Sequence, residues 1–320
     1  MEQVPYKTDE PGWSDLGWDA WANPALIRAR LDSGADPNSG GFYPRPPLHE
    51  AAKHGSPEVV EELIRRIDDV DAEHKGRTAL WLAVFANRPD NARALVSAGA
   101  DPWRPMMGGW SPARLSLATP TPDLFPARPG QPGLSTAETT AVAESRRLIP
   151  ALGDIYHEGL GLACVAGVKA GEAARRLEAA PITGSLPDDL SGDEGLHIVG
   201  ATDVPGGCVI SQPWGYAPSM RGVLRRLSVG TVCYGMFDNA ASGMKGHVAR
   251  DGRREERDTR PGSGIVSADE SPEEILASYL YHREPVGYCC AGAGLRLADS
   301  RAIVGEPDLW LRLPRRGWWH

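Results

Sequence analysis

The chain has 320 residues, enough for about two domains of ordinary size and for a sizeable core without disulfides or metals. Its 34 basic and 42 acidic side chains leave a net charge of −8, shared evenly by the two halves, which excludes the basic body of a nucleic-acid binder. No apolar run approaches the roughly 18 residues of a membrane helix, and MEQVPYKTDEPGW at the start lacks the apolar core of a secretory signal, so a soluble, cytoplasmic protein is expected.

Repetition appears early. GADPNS at Gly34–Ser39, IDDVDA at Ile67–Ala72 and GADPWR at Gly99–Arg104 align at offsets of 33 and 32 residues. Between them PPLHEAAKHG, from Pro46, aligns with TALWLAVFAN, from Thr78, and more weakly with SPARLSLA, from Ser111. Each unit reads as two short helices. Pro47 opens a first helix, where its missing N–H costs nothing. Ser56 caps the second helix, in which Val59, Val60, Leu63, Ile64 and Ile67 recur at helical spacing. Gly34 and Gly99 supply the left-handed backbone at helix ends, and small Ala51, Ala52 and Ala83 allow close stacking. Trp18, in GWSDLGWDAW, falls about where Ala51 and Ala83 stand, as expected of a capping repeat. One helix pair cannot bury its own apolar face, so the copies must stack.

A period near 33, with a Thr-Pro-Leu-His-like start and a Gly-Ala-Asp end, resembles the ankyrin repeat. The resemblance implies a protein-recognition surface on the hairpin fingers and on the exposed edge of the first helices. Carried onto this chain, the finger positions are Phe42, Tyr43, Arg45, Glu73, Lys75, Arg77, Met107 and Trp110. The helix-edge positions are Lys53, His54, Phe85 and Ala86. Aromatic, Met and Arg side chains are the types enriched at interface centres.

SPARLSLATPTPDLFPARPGQPG runs into six prolines and cannot continue the stack. Ser135 followed by Glu138 is the signature of a capping box and predicts a bridging helix, with Pro150 near its end. Beyond it GLACVAG, GLHIVGA, GCVISQP and TVCYGMFD read as strands. AGEAARRLEAA, SMRGVLRRLS, SPEEILASYLYHR and GYCCAGAGLRLADSRAIVG read as helices. Asp251-Gly252 marks a hairpin turn. Strands grouped with hairpins indicate an α+β domain with a mainly antiparallel sheet. These segments resemble an uncharacterised domain family widespread in actinobacteria, a likeness that implies an architecture and no activity. The expected division is a tail over 1–13, an ankyrin stack over 14–125, a Pro-rich linker and bridging helix over 126–158, the α+β domain over 159–314 and a tail over 315–320.

The sequence carries no catalytic motif. It lacks a phosphate-binding G-x-x-x-x-G-K-[ST], a G-x-S-x-G elbow and an H-E-x-x-H pair. LPDDLSGDEG lacks the alternation of a calcium loop. Cys164, Cys208, Cys233, Cys289 and Cys290 form no C-x-x-C pair and read as reduced, buried thiols. His157, His197, His247 and His282 share no short spacing, and Trp318 and Trp319 lie in a terminal segment read as self-docking or disordered. The expected function is non-enzymatic: an interaction or regulatory protein, such as a neutraliser of another protein, with the α+β domain as a second recognition module and with no cofactor, metal, nucleic acid or membrane. The alternative is an enzyme or small-molecule binder whose pocket lies in the α+β domain, where His247 or His197 would meet an acid or Cys208.

Overall fold

The computed structural model describes residues 12–40, 45–186, 190, 192–239, 243–255, 260–264, 267 and 269–318. The chain divides into two compact units, one of Met1–Thr139 with Ser267–Leu276, the other of Thr140–Val266 with Ala277–His320.

The first unit is helical among its described residues. A 3-10 helix Trp18–Ala22 precedes α1 (Pro24–Asp32); then come α2 (Pro47–His54), α3 (Pro57–Ile64), α4 (Ala79–Phe85), α5 (Pro89–Ser97) and α6 (Pro112–Ser116). They stack in two rows. The 3-10 helix, α2, α4 and α6 form one, and α1, α3 and α5 the other. Local sequence sets the starts. Pro24, Pro47, Pro57, Pro89 and Pro112 each stand at the beginning of a helix, and the side chains of Asn23, Ser56, Thr78 and Ser111 cap backbone N–H groups. Gly34 and Gly99 have φ of +98° and +102°, as their place after a helix requires.

Stacking places Ala51, Ala52, Ala83, Val59, Val60 and Leu63 in full burial. Polar ties repeat with the sequence. The Asp68 N–H donates to Asn38 Oδ1 at 3.0 Å, and the Asp101 N–H donates to Asp71 Oδ2 at 3.0 Å, each one repeat apart. Trp18 faces outward, unlike the buried Ala51 and Ala83 with which it aligns. Trp21 and Trp13 are buried, with ring centroids 5.6 Å apart, whereas Trp18 is 70% exposed and stacks on His54 at 5.2 Å. The capping repeat opens with a 3-10 turn rather than an α-helix, and Trp21 is its buried residue.

α7 (Thr136–Leu152) carries the chain across the division between the units, with Pro150 inside it. The predicted capping box is present: the Ser135 N–H donates to Glu138 Oε2 at 2.7 Å, and the Glu138 N–H to Ser135 Oγ at 3.2 Å.

The second unit is built on one sheet. Its elements are β1 (Gly161–Ala166), α8 (Ala170–Leu177), β2 (Ala180–Pro181), β3 (Ile198–Val204), β4 (Gly207–Gln212), α9 (Arg221–Leu227), β5 (Val232–Phe237), β6 (Lys245–Arg250), β7 (Arg253–Arg254), α10 (Pro272–Leu280), α11 (Pro285–Gly292), α12 (Arg301–Val304) and β8 (Leu309–Arg312); α10 begins in the first unit. The strand order is β2-β8-β3-β4-β1-β5-β6-β7, and among the described residues these strands all pair antiparallel. The architecture is α+β, as its hairpin-grouped strands predict.

Both faces of the sheet are covered. Ala163 and Val165 of β1 join Cys208 and Ile210 of β4 with Ala173, Leu177, Val223 and Leu224 from α8 and α9. Leu162 and Cys164 point the other way, to Val209, Met236, Leu148, Cys289, Cys290 and Ile303. Double coverage explains why these strands read as continuous apolar runs rather than alternating ones. The edges are blunted by short β2, which contains Pro181, and by short β7, which is two arginines. Asp251 and Gly252 turn β6 into β7 with φ of +45° and +73°. The last apolar stretch is not one helix: α11 ends at Gly292, Gly294 takes φ +68°, and helix resumes only at Arg301. Trp318 is buried in the core beneath α9, with Arg316 4.6 Å from its ring, so this part of the terminus docks on its own unit; Trp319 lies outside the described residues.

Candidate recognition surface

Turn chemistry shapes the fingers. Lys75 and Gly76 take φ of +54° and +70°, and His74 and Arg77 exchange backbone bonds of 2.9 and 3.2 Å across them. In the next finger the Met106 N–H donates to the Trp110 carbonyl at 2.7 Å around Gly108 and Gly109, both at positive φ. His49 anchors the first to the stack, its Nε2 lying 2.9 Å from the Arg77 carbonyl. Burial drives the pKa of that imidazole down to about 4, so His49 is neutral at physiological pH.

The predicted positions separate into two groups. Arg45, Lys53, His54, Glu73 and Lys75 are exposed or half-buried. Arg45 pairs with Glu50 at 3.2 Å, and Glu73 with Arg104 at 2.7 Å. Phe85, Met107 and Trp110 are buried. Arg77 is half-buried, its pKa pulled down by burial and by Arg45, with Glu270 opposing. Phe42 and Tyr43 lie outside the described residues, and Ala86 is half-buried.

Burial at the second finger has a specific cause: Trp110 Nε1 donates to the Pro272 carbonyl at 3.0 Å, in a segment 162 residues further along the chain. Arg114 lies 4.2 Å from the Trp110 ring and pairs with Glu138 at 2.7 Å. Sequence reasoning overlooked Trp18 as a surface aromatic, Arg114, and the returning segment Ser267–Leu276. The returning segment had no local signal, because its contacts span the chain.

The second unit offers fewer polar convergences. His157 Nδ1 meets Asp238 Oδ2 at 2.7 Å, and the Tyr156 hydroxyl donates to Glu158 at 2.9 Å. Cys208 is buried and its pKa is pushed up to about 12, which keeps it a thiol rather than a nucleophile. His247 Nδ1 accepts from Arg254 at 2.6 Å. Among the described residues no group of three or more His, Cys, Asp or Glu side chains is placed to hold a metal ion, and no helix is long and apolar enough to cross a membrane.

Residues 19–106 match the family model for ankyrin repeats, in three copies. No curated protein matches the chain.

Proposed function

We propose that the chain is a non-enzymatic interaction or regulatory protein whose ankyrin-repeat region binds another protein. The observation that carries this reading is the surface made by Trp18, Lys53 and His54 with the fingertips Arg45, Glu73 and Lys75. It joins an exposed aromatic ring to cations on a rigid stack of helices. Exposed tryptophan and arginine are the residue types that dominate binding energy at interface centres. Phe42 and Tyr43 belong to the same proposed surface by their place in the repeat. Family membership of the repeats supports a protein partner over any other ligand class.

The second unit acts in this reading as a further recognition module. Its support is two exposed aromatic residues, Trp214 and Tyr156, 63% and 71% accessible, the first beside Gly159. Trp214 holds φ +69°, a conformation unfavourable for a bulky residue and retained where the surroundings demand it. A protein that captures another and keeps it from its target, as a neutraliser does, fits two binding surfaces without a catalytic constellation.

The test is capture from lysate of the native host by wild-type protein and by a Trp18→Ala/Arg45→Glu/Lys75→Glu variant of unchanged melting temperature. The expected outcome is a single protein retained by wild type and weakened roughly tenfold or more by the variant. Equal capture by both sinks the assignment of this face.

A further inference from the structure

The second finger carries an occupant whose chemistry is legible. Ser267–Leu276 lies far from the repeats in sequence yet belongs to their compact unit. Three kinds of contact seat it. Trp110 Nε1 donates to the Pro272 carbonyl at 3.0 Å. Gly108, at φ +54°, leaves a notch: a Cβ there would stand 2.6 Å from Ile275 Cδ1 and 3.3 Å from the Pro272 nitrogen. The Glu270 carboxylate acts electrostatically on the half-buried Arg77 guanidinium, opposing the lowering of its pKa by burial and by Arg45. Ile275 and Leu276 are buried while Asp269, Glu273 and Glu274 are exposed.

The segment also comes preshaped. The Ser271 N–H donates to Glu274 Oε2 at 2.8 Å and the Glu274 N–H to Ser271 Oγ at 3.2 Å, a capping box with Pro272 as the first helical residue. A rigid helix start loses little entropy on docking.

On the reading of the stack as a protein-binding module, we propose that Asp269–Leu276 is an internal substitute for the partner. The face from Arg77 to Trp110 takes an acidic segment that opens a proline-led helix and places an aliphatic side chain at Gly108. The chain's own segment and the partner's exclude each other. Because the internal segment is tethered, its effective concentration is on the order of millimolar, and a partner binds only in proportion to the fraction of open face.

The test uses the full chain and a fluorescein-labelled peptide of residues 267–280, read by fluorescence anisotropy. Wild type is expected to bind the probe weakly. Ile275→Asp, which weakens the internal segment, is expected to bind it about tenfold tighter or more. Adding Arg77→Glu to that variant removes the gain. Binding to Ile275→Asp no tighter than to wild type, or unchanged by Arg77→Glu, overturns the proposal. Should Ile275→Asp fail to fold, Glu270→Lys opens the face more mildly and carries the same comparison. Hydrogen exchange on wild type supplies a second reading. The Ile275 amide, bonded to the Ser271 carbonyl, is expected to exchange faster when the probe saturates the face, and unchanged exchange counts against displacement. Capture of a partner through Trp18, Arg45 and Lys75 with no probe binding leaves the recognition reading standing and removes only this inference; probe binding without capture through those residues supports the displaceable segment and removes the Trp18 face.

Discussion

His49 shows how one buried side chain ties pH to stability. Its imidazole is held neutral by burial, with a folded pKa of about 4 against an ordinary 6.5, while Nε2 stays on the Arg77 carbonyl. A depressed folded value means the unfolded chain binds the proton more readily. The stabilisation is therefore complete above pH 6.5 and is lost as pH falls from 6.5 towards 4. About 2–3 kcal/mol should disappear between pH 7 and 4.5 from this residue alone. Replacing His49→Gln should shrink the stability difference between those two pH values by about that amount in urea titrations; an unchanged difference would mean the imidazole is not shielded. The histidine itself was visible in the repeat pattern. Its depressed pKa was not, because desolvation depends on neighbours from the next repeat.

Between elements, the stack is held by apolar contacts and by a few buried polar ties. Asn91, at the start of α5, is buried and its Nδ2 lies 3.3, 3.1 and 3.1 Å from the carbonyls of Ala51, Ala52 and Gly55, at the end of α2. Those carbonyls belong to the last turn of a helix, where no later amide of the same helix can serve them all. Asn91→Ala should cost about 2–3 kcal/mol, read as a lower midpoint in chemical unfolding, because buried acceptors lose their donor. A loss within a few tenths of a kcal/mol would mean that water replaces the amide. The helix starts were legible in Pro47 and Ser56, since capping is local chemistry. The 3-10 character of Trp18–Ala22 was not, because packing of Trp21 against Trp13 sets it.

Across the whole molecule, two units solve burial differently. The repeats bury one row of helices against another, whereas the eight-stranded sheet is covered on both faces. All five cysteines are buried and free, and burial raises the pKa of Cys164, Cys208, Cys233 and Cys289. Cys164 and Cys290 lie with sulfurs 3.7 Å apart as thiols in the core. A thiol reagent such as Ellman's should therefore react hardly at all with native protein within minutes and with all five cysteines in guanidinium. Rapid native reaction of even one would show that a strand or helix opens far more readily than its burial allows.

The sequence by itself determined the repeat period, the capped helix starts, the four central strands β3, β4, β1 and β5, the Asp251-Gly252 turn and the burial of the cysteines. Each rests on chemistry within a few residues or on a spacing that repeats. Tertiary structure decided which aromatic faces outward, as Trp18 does while Trp21 and Trp110 are buried. It also decided which charge stands beside Arg77 and which distant segment fills the notch at Gly108. Those outcomes depend on residues brought together from far along the chain, and no local pattern records which partners meet.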